Sequence, residues 1–206
     1  MTGYTMLDTS LEFLTSELNE YLKLRTNDPD DDRVFLTNVA TESGGVVIPD
    51  MSIGLSLINI EEERVFKDQR TTIINEDGVT EHINPEVKLN LYILISANFQ
   101  DNATNLSTND YKEGLKQLSY VISFFQAKNV FTVDNSPALA NDGLIRKLVV
   151  ELYSYSFEQL YNFWSVLGTK YLPSVLYKVR LIRYQEKVVQ AANLPIEKVK
   201  INSLGI

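Results

Sequence analysis

Apolar residues recur along this chain with two different periods, one helical and one extended. Residues 5–25 carry apolar side chains at steps of three and four, which predicts an amphipathic helix. A second helical pattern begins at Thr108 or Asp110 and ends near Ala127, and a third begins at Ser156. The predicted core-facing stripes are Leu7, Leu11, Leu14, Leu18, Tyr21 and Leu22; Tyr111, Leu115, Leu118, Ile122 and Phe125, widened by Val121 and Phe124; and Phe157, Leu160, Tyr161, Trp164 and Leu167.

The third helix has signals at both ends. Ser156 and Gln159 have the spacing of a capping box, in which each residue satisfies the other's backbone N–H group. Gly168 stands where a left-handed residue ends a helix. The sequence therefore predicts a helix over 157–167, followed by a turn and a strand.

Alternating or continuous apolar segments predict the strands. Residues 52–60 alternate, with Ile53, Leu55 and Leu57 inward and Ile60 as a further inward candidate. Residues 87–98 have a continuous apolar middle, typical of a central strand. An Asp-Gly step predicts a hairpin turn within 65–85. The other predicted strands are 33–37, 144–155 and 175–184, with 129–133 as a short edge strand or extended link.

The order of these segments is α-β-β-(hairpin)-β-α-β-α-β. Several connections contain no crossover helix, so some strands must be antiparallel. We therefore predict a single α+β domain with a mixed, largely antiparallel sheet packed by about three helices. This domain covers residues 1–186, and residues 187–206 form a C-terminal extension. Ile196, Val199 and Ile201 give the extension an alternating segment able to add to a sheet of its own or a neighbouring chain.

Composition excludes several kinds of site. The 206 residues include no cysteine and one histidine, His82, so disulfides, thiolate chemistry and a zinc site are not expected. A net charge of −8 argues against nucleic acid as a partner. No apolar run has the length of about 20 residues that spans a membrane, and no secretory signal is evident, so we expect assembly in the cytoplasm.

Four sequence features were compared with known kinds of binding site or contact surface. The aspartates at 30–32 lack the glycine and distal glutamate of a twelve-residue calcium loop, which favours a solvated acidic loop. Gly44-Gly45 is not followed by the Lys-Ser/Thr of a phosphate-binding loop. Glu61–Glu63 is typical of an exposed strand exit. Lys178 and Arg180 share one face of the last strand, which indicates a side facing solvent or a partner.

Four segments, in order, carry a resemblance to a known family. They are LSLINIEEER at 55–64, LNLYILISAN at 89–98, YVISFFQ at 120–126 followed by VFT at 130–132, and the segment from Phe163-Trp164 to Arg180. These segments lie between residues 55 and 180, and the resemblance as a whole covers about residues 5–186. This arrangement resembles the tail-terminator, or cap, proteins of phage-tail-like extracellular contractile injection systems, whose N-terminal domain was long classed as of unknown function. The acidic loop and the 65–85 excursion have no counterpart in the resemblance.

The resemblance implies a structural protein without a catalytic, cofactor or metal site. Such proteins form a ring, expected to be a hexamer, that ends polymerisation of the inner tube and holds the last sheath layer, within a particle that is released or anchored. The partners implied are other copies of the chain and the tube and sheath subunits. As contact residues we predict Lys178, Arg180 and Arg183 on the last strand and Ile196, Val199 and Ile201 in the extension.

Two other functions are weighed against this one. A baseplate or adaptor protein of the same particle would share the fold and occupy another position. A small hydrolase or transferase would need a nucleophile with a base, or two carboxylates in one pocket, and the sequence offers neither pattern.

Overall fold

The computed structural model describes residues 6–27, 30–63, 72–74, 80–82, 88–99, 109–140, 145–183 and 192–193. The helices are α1 (Met6–Thr26), α2 (Asn109–Ala127) and α3 (Phe157–Leu167), with a 3-10 helix at Pro137–Ala140. The strands are β1 (Val34–Leu36), β2 (Ser52–Glu62), β3 (Thr72–Ile74), β4 (Thr80–His82), β5 (Lys88–Asn98), β6 (Val130–Thr132), β7 (Ile145–Tyr153), β8 (Ser174–Arg183) and β9 (Ala192–Asn193).

Six strands form the main sheet, in the order β1-β2-β5-β8-β7-β6. Only the β1–β2 pair is parallel, and the other pairs are antiparallel. The prediction of a single α+β domain with a mixed, largely antiparallel sheet and three helices is confirmed. Strand β5 lies in the interior of the sheet, as its continuous apolar middle predicted.

A second, three-stranded sheet has the order β3-β4-β9. Strands β3 and β4 form the antiparallel hairpin that the Asp-Gly step predicted, although the turn itself lies outside the described residues. Strand β9 pairs Ala192 with Glu81 and Asn193 with Thr80. Part of the extension therefore adds to a sheet of its own chain.

The main core lies between one face of the large sheet and helices α1 and α2. The predicted leucine face of α1 is confirmed, since Leu11, Leu14, Leu18 and Leu22 are all buried. Aromatic rings join the helices to the sheet edge: the rings of Phe13 and Phe131 meet edge to face at 5.5 Å. Burial of these side chains on folding is the main source of stability.

Helix α2 is rotated relative to the prediction. Leu118, Val121, Phe124 and Phe125 are buried as expected, but Tyr111, Leu115 and Ile122 are exposed. The cause is Gly114, where an added Cβ would lie 3.0 Å from the Cβ of Phe99. This close approach turns the side of the helix that carries Gly114, Gln117 and Leu118 toward the sheet.

Strand β2 contains an irregularity that the alternating pattern did not predict. The register shifts between Leu57 and Asn59, and Ile60 is then opposite Leu91. Ile60 therefore points to the same side as Leu91, which is the predicted core side. Without the extra residue of the β-bulge, strict alternation from Leu57 would place Ile60 on the opposite face. Its side chain is nevertheless exposed.

Candidate interaction surfaces

The face of the large sheet opposite α1 and α2 carries polar side chains. Residues of β5 and β8 alternate, and Leu91, Ile93 and Val179 are buried in the main core. Their sequence neighbours therefore point to the other side. We call this region the open sheet face and define it by Glu61, Asn90, Tyr92, Glu151, Lys178 and Arg180.

Side chains of the open sheet face are joined across four strands. The Tyr92 hydroxyl on β5 donates to Glu61 Oε2 on β2 at 2.9 Å, and Asn90 Nδ2 donates to Glu63 Oε2 at 3.2 Å. On the other side of β5, Arg180 on β8 donates to the Glu151 carboxylate on β7. The ring of Tyr92 meets that of Tyr153 edge to face at 5.2 Å. Carboxylates thus flank the two cations.

The electrostatics of this face affect Tyr92. Partial burial raises the pKa of its hydroxyl to about 12, with further contributions from the hydrogen bond to Glu61 and the negative charge of that carboxylate. The neutral phenol is therefore the form that this face stabilises.

The predicted contact residues have different outcomes. Lys178 and Arg180 share one face of β8, as predicted, but β8 lies between β5 and β7 rather than at an edge. Lys178 is opposite Tyr92 and Glu151 in the two ladders. Arg183 ends β8, and its side chain is not among those described. Ile196, Val199 and Ile201 lie outside the described residues, so their role stays a prediction.

The side-chain partners on this face could not be inferred from the sequence. Glu61 and Glu62 are exposed at the end of β2, as expected for a strand exit, but Glu61 also accepts from the Tyr92 hydroxyl. Glu151 and Tyr92 are distant in sequence from Arg180. The only signal available was alternation within each strand, and alternation does not give the strand order.

Helix α3 lies on the same side of the sheet, over its other end. Trp164 packs there in a second apolar cluster with Val39, Ile48, Leu94, Leu172 and Leu176. The prediction that Phe157 and Tyr161 face the core is wrong, because they are 90% and 73% exposed. Trp164 is the only buried residue of α3. The helix therefore contacts the sheet along a narrow line.

The outer side of α3 borders an apolar groove with a volume of about 480 Å³. Its lining includes Phe157, Leu160, Tyr161, Trp164 and Tyr171, which we call the α3 surface. Tyr171 and Trp164 meet edge to face at 5.4 Å. Exposed aromatic side chains grouped in this way are typical of contact regions between proteins.

Both ends of α3 have the predicted caps. Gln159 Oε1 accepts from the Ser156 N–H group at 2.9 Å, and Ser156 Oγ accepts from the Gln159 N–H group at 3.3 Å. Gly168 has a φ of 63°, in the left-handed region. Gly44 lies against its carbonyl, where an added Cβ would be 2.4 Å from the Gly168 oxygen. The Gly44-Gly45 turn therefore supports the end of α3.

The acidic loop after α1 is neutralised locally. Asp31 pairs with Arg33 at 2.6 Å, and Asp32 pairs with Lys23 at 2.8 Å. Among the described residues, no three His, Cys, Asp or Glu side chains are grouped so as to hold a metal ion. Within the same part of the chain, no helix is long and apolar enough to cross a membrane.

Comparisons with known proteins identify the fold and the family. The structure is similar to that of the sheath/tube terminator of an extracellular contractile injection system, PVC, in its extended state, with a TM-score of 0.64 and 15% identity over 100% of this chain. It is also similar to the tube-terminating cap of the anti-feeding prophage, with a TM-score of 0.54 and 14% identity over 97% of this chain. The chain spans 65% and 62% of those two proteins.

Comparison with curated protein sequences gives no match. The family model of the Pvc16 N-terminal domain matches residues 11–198, which is nearly the whole chain. The four segments quoted above lie within this range, and the predicted resemblance to the tail-terminator family is confirmed. This chain belongs to the family of the Pvc16 N-terminal domain.

Proposed function

We propose that this protein is a structural subunit that ends the tube and sheath of a contractile injection particle. The observation that carries the proposal is the similarity of the entire chain to a sheath/tube terminator. The proposed role is mechanical, so it requires contact surfaces and no reaction centre. The chain would assemble in the cytoplasm and then remain part of the particle, whether released or anchored.

We further propose that the subunits close into a ring of six. A closed head-to-tail ring needs two unlike surfaces on each subunit. The open sheet face is polar and carries both signs of charge, whereas the α3 surface is aromatic. Each subunit therefore offers two unlike surfaces, which is what a head-to-tail arrangement requires.

Within the open sheet face, Lys178 is the proposed contact with tube or sheath. Arg180 is already bound to Glu151, so its charge is partly balanced within the subunit. Arg183, at the end of the same strand, and Ile196, Val199 and Ile201 in the extension remain proposed contacts. A particle surface that carries carboxylates would fit this region best.

The proposal is tested by solution mass and binding. The purified protein is measured by multi-angle light scattering alone and with tube or sheath subunits from the same source, with negative-stain images of each sample. A species near six subunits, or ring-shaped particles, is expected. A monomer that binds neither subunit would contradict the proposal and would favour an adaptor elsewhere in the particle.

A charge-reversal pair locates the contact. Lys178→Glu should weaken binding to tube or sheath at least tenfold, while Lys112→Glu, on the exposed side of α2, should not change it. Equal binding by both variants would exclude the open sheet face as the contact.

A further inference from the structure

Both outer edges of the large sheet are closed by the side chain of an asparagine. An edge strand normally leaves a row of unpaired N–H and C=O groups to which another strand can add. The sheet order places β1 at one edge and β6 at the other. The side chains of Asn19 and Asn135 bond both outward groups of Val34 on β1 and one outward group each of Val130 and Thr132 on β6.

At β6, the outward groups are those of Val130 and Thr132. The N–H group of Val150 donates to the carbonyl of Asn129 at 2.8 Å, so the residues facing β7 are 129 and 131 and the alternate ones face away. Asn135 Nδ2 donates to the Val130 carbonyl at 2.9 Å, and Asn135 Oδ1 accepts from the Thr132 N–H group at 2.9 Å.

The turn that follows β6 completes this closure. The Thr132 carbonyl accepts from the N–H groups of Ser136 at 2.9 Å and Asn135 at 3.2 Å. Three of the four outward groups of β6 are therefore occupied by residues 135 and 136. The Asn135 side-chain amide thus makes the two hydrogen bonds to β6 that the backbone of an adjacent strand would otherwise make.

At β1, the same arrangement is made by a residue of α1. The carbonyl of Arg33 and the N–H group of Thr37 bond to β2, so Val34 and Leu36 face away from it. Asn19 Nδ2 donates to the Val34 carbonyl at 2.9 Å, and Asn19 Oδ1 accepts from the Val34 N–H group at 2.8 Å. It also accepts from the Arg33 N–H group at 3.0 Å. Within the described part of the chain, Leu36 is then the one residue of β1 whose outward groups lack a partner, and one residue is too short for a strand ladder.

We infer that Asn19 and Asn135 act as strand mimics that prevent strand addition at both edges of the large sheet. Copies of this chain and its partners must then contact the sheet through its face, its helices or its loops. The inference rests on backbone and amide geometry alone and does not depend on the proposed function. It assigns to Asn135, an exposed residue, a role in preventing self-association.

The test removes the asparagine side chain at the β6 edge and leaves Asn19 in place at the β1 edge. In Asn135→Ala the Val130 carbonyl and the Thr132 N–H group lose their side-chain partner, and two copies can pair through β6. Since β1 stays closed by Asn19, the expected product has at least twice the mass of the wild-type species at the same concentration, by light scattering. Asn129→Ala, which alters another exposed asparagine beside β6, serves as the control and should keep the wild-type mass.

A second readout covers the case in which Asn135→Ala is poorly folded. Amide hydrogen exchange of the wild-type protein should show the Thr132 and Val34 N–H groups protected at least tenfold over unstructured peptides. Asn135→Asp keeps the acceptor for Thr132 and loses the donor to Val130, so it should retain the Thr132 protection. Unprotected Thr132 in the wild type, or a folded Asn135→Ala variant of wild-type mass, would overturn the inference.

Discussion

The hydroxyl of Tyr92 donates to Glu61 Oε2 at 2.9 Å across the β2–β5 ladder, on the face of the sheet that α1 and α2 leave uncovered. This bond ties a tyrosine of an interior strand to a carboxylate that the sequence had indicated as solvated. It also places an ionisable phenol beside a negative charge, which makes the stability of the folded protein depend on pH in the alkaline range.

Stability should fall at high pH partly because of Tyr92. Its pKa is about 12 in the folded protein, against about 10 for an ordinary tyrosine. The folded state therefore keeps a proton that the unfolded chain loses, and the resulting stability is complete below about pH 10 and is lost as pH rises toward 12. Tyr177, whose pKa burial raises to about 12, acts in the same direction.

Urea denaturation at several pH values between about 9 and 11.5 measures this effect. Tyr92→Phe should make the decline in the free energy of unfolding shallower, with the part due to Tyr177 remaining. An equally steep decline in Tyr92→Phe would show that partial burial and the bond to Glu61 do not raise the pKa of Tyr92 as described.

Helix α3 should be held to the sheet mainly by one side chain. Trp164→Ala should lower the free energy of unfolding by about 3–5 kcal/mol, because it removes a large side chain from a buried cluster. Phe157→Ala, at the first position of the same helix with a side chain that is 90% exposed, should change it by less than about 0.5 kcal/mol. Chemical denaturation of both variants decides the point, and a larger effect at Phe157 would contradict the exposed position of that ring.

Replacement by alanine should destabilise the protein more at Gly44 than at the adjacent Gly45. Gly44→Ala combines a φ of 81° with a Cβ 2.4 Å from the Gly168 carbonyl oxygen, so it should cost at least about 1–2 kcal/mol. At Gly45 the nearest atom to an added Cβ is the Thr41 hydroxyl oxygen at 3.3 Å, so alanine requires only a small shift. Thermal denaturation of the two variants provides the comparison. Equal loss would mean that the turn does not support the end of α3.

Removal of the C-terminal extension should separate folding from assembly. Every residue of the two described apolar clusters precedes position 183, so a chain ending at Gln185 should keep the large sheet and its helices. It would lose β9 and its pairing with β4. Circular dichroism should therefore show a folded protein, and capping of tubes should fail. Normal capping by this shortened chain would remove the extension from the proposed contacts.

The fold was largely predictable because most of its elements have strong local patterns. Ser156, Gln159 and Gly168 set the limits of α3 through backbone hydrogen bonds that depend only on neighbours in sequence. The leucine repeat of α1 likewise needs no knowledge of the partner. The errors arose where tertiary contacts decide orientation: Gly114 turns α2, and the narrow contact of α3 leaves Phe157 in solvent.

The surfaces were less predictable than the elements. Lys178 and Arg180 were assigned correctly to one face of a strand, since alternation is a local property. Glu151, which bonds Arg180, and Tyr92, which lies opposite Lys178, come near these cations only through the strand order, which the sequence pattern does not contain. The closure of β1 by Asn19 is similarly a contact between residues 15 positions apart.

The measurement that tests the central claim most directly is the length of assembled tubes. Tube and sheath subunits from the same source are assembled with and without this protein, and lengths and ends are recorded by electron microscopy. With the protein present, we expect a narrow length distribution and a closed density at one end, and without it, longer tubes of broad length. Identical lengths and open ends in both samples would contradict the role of this protein as a terminator.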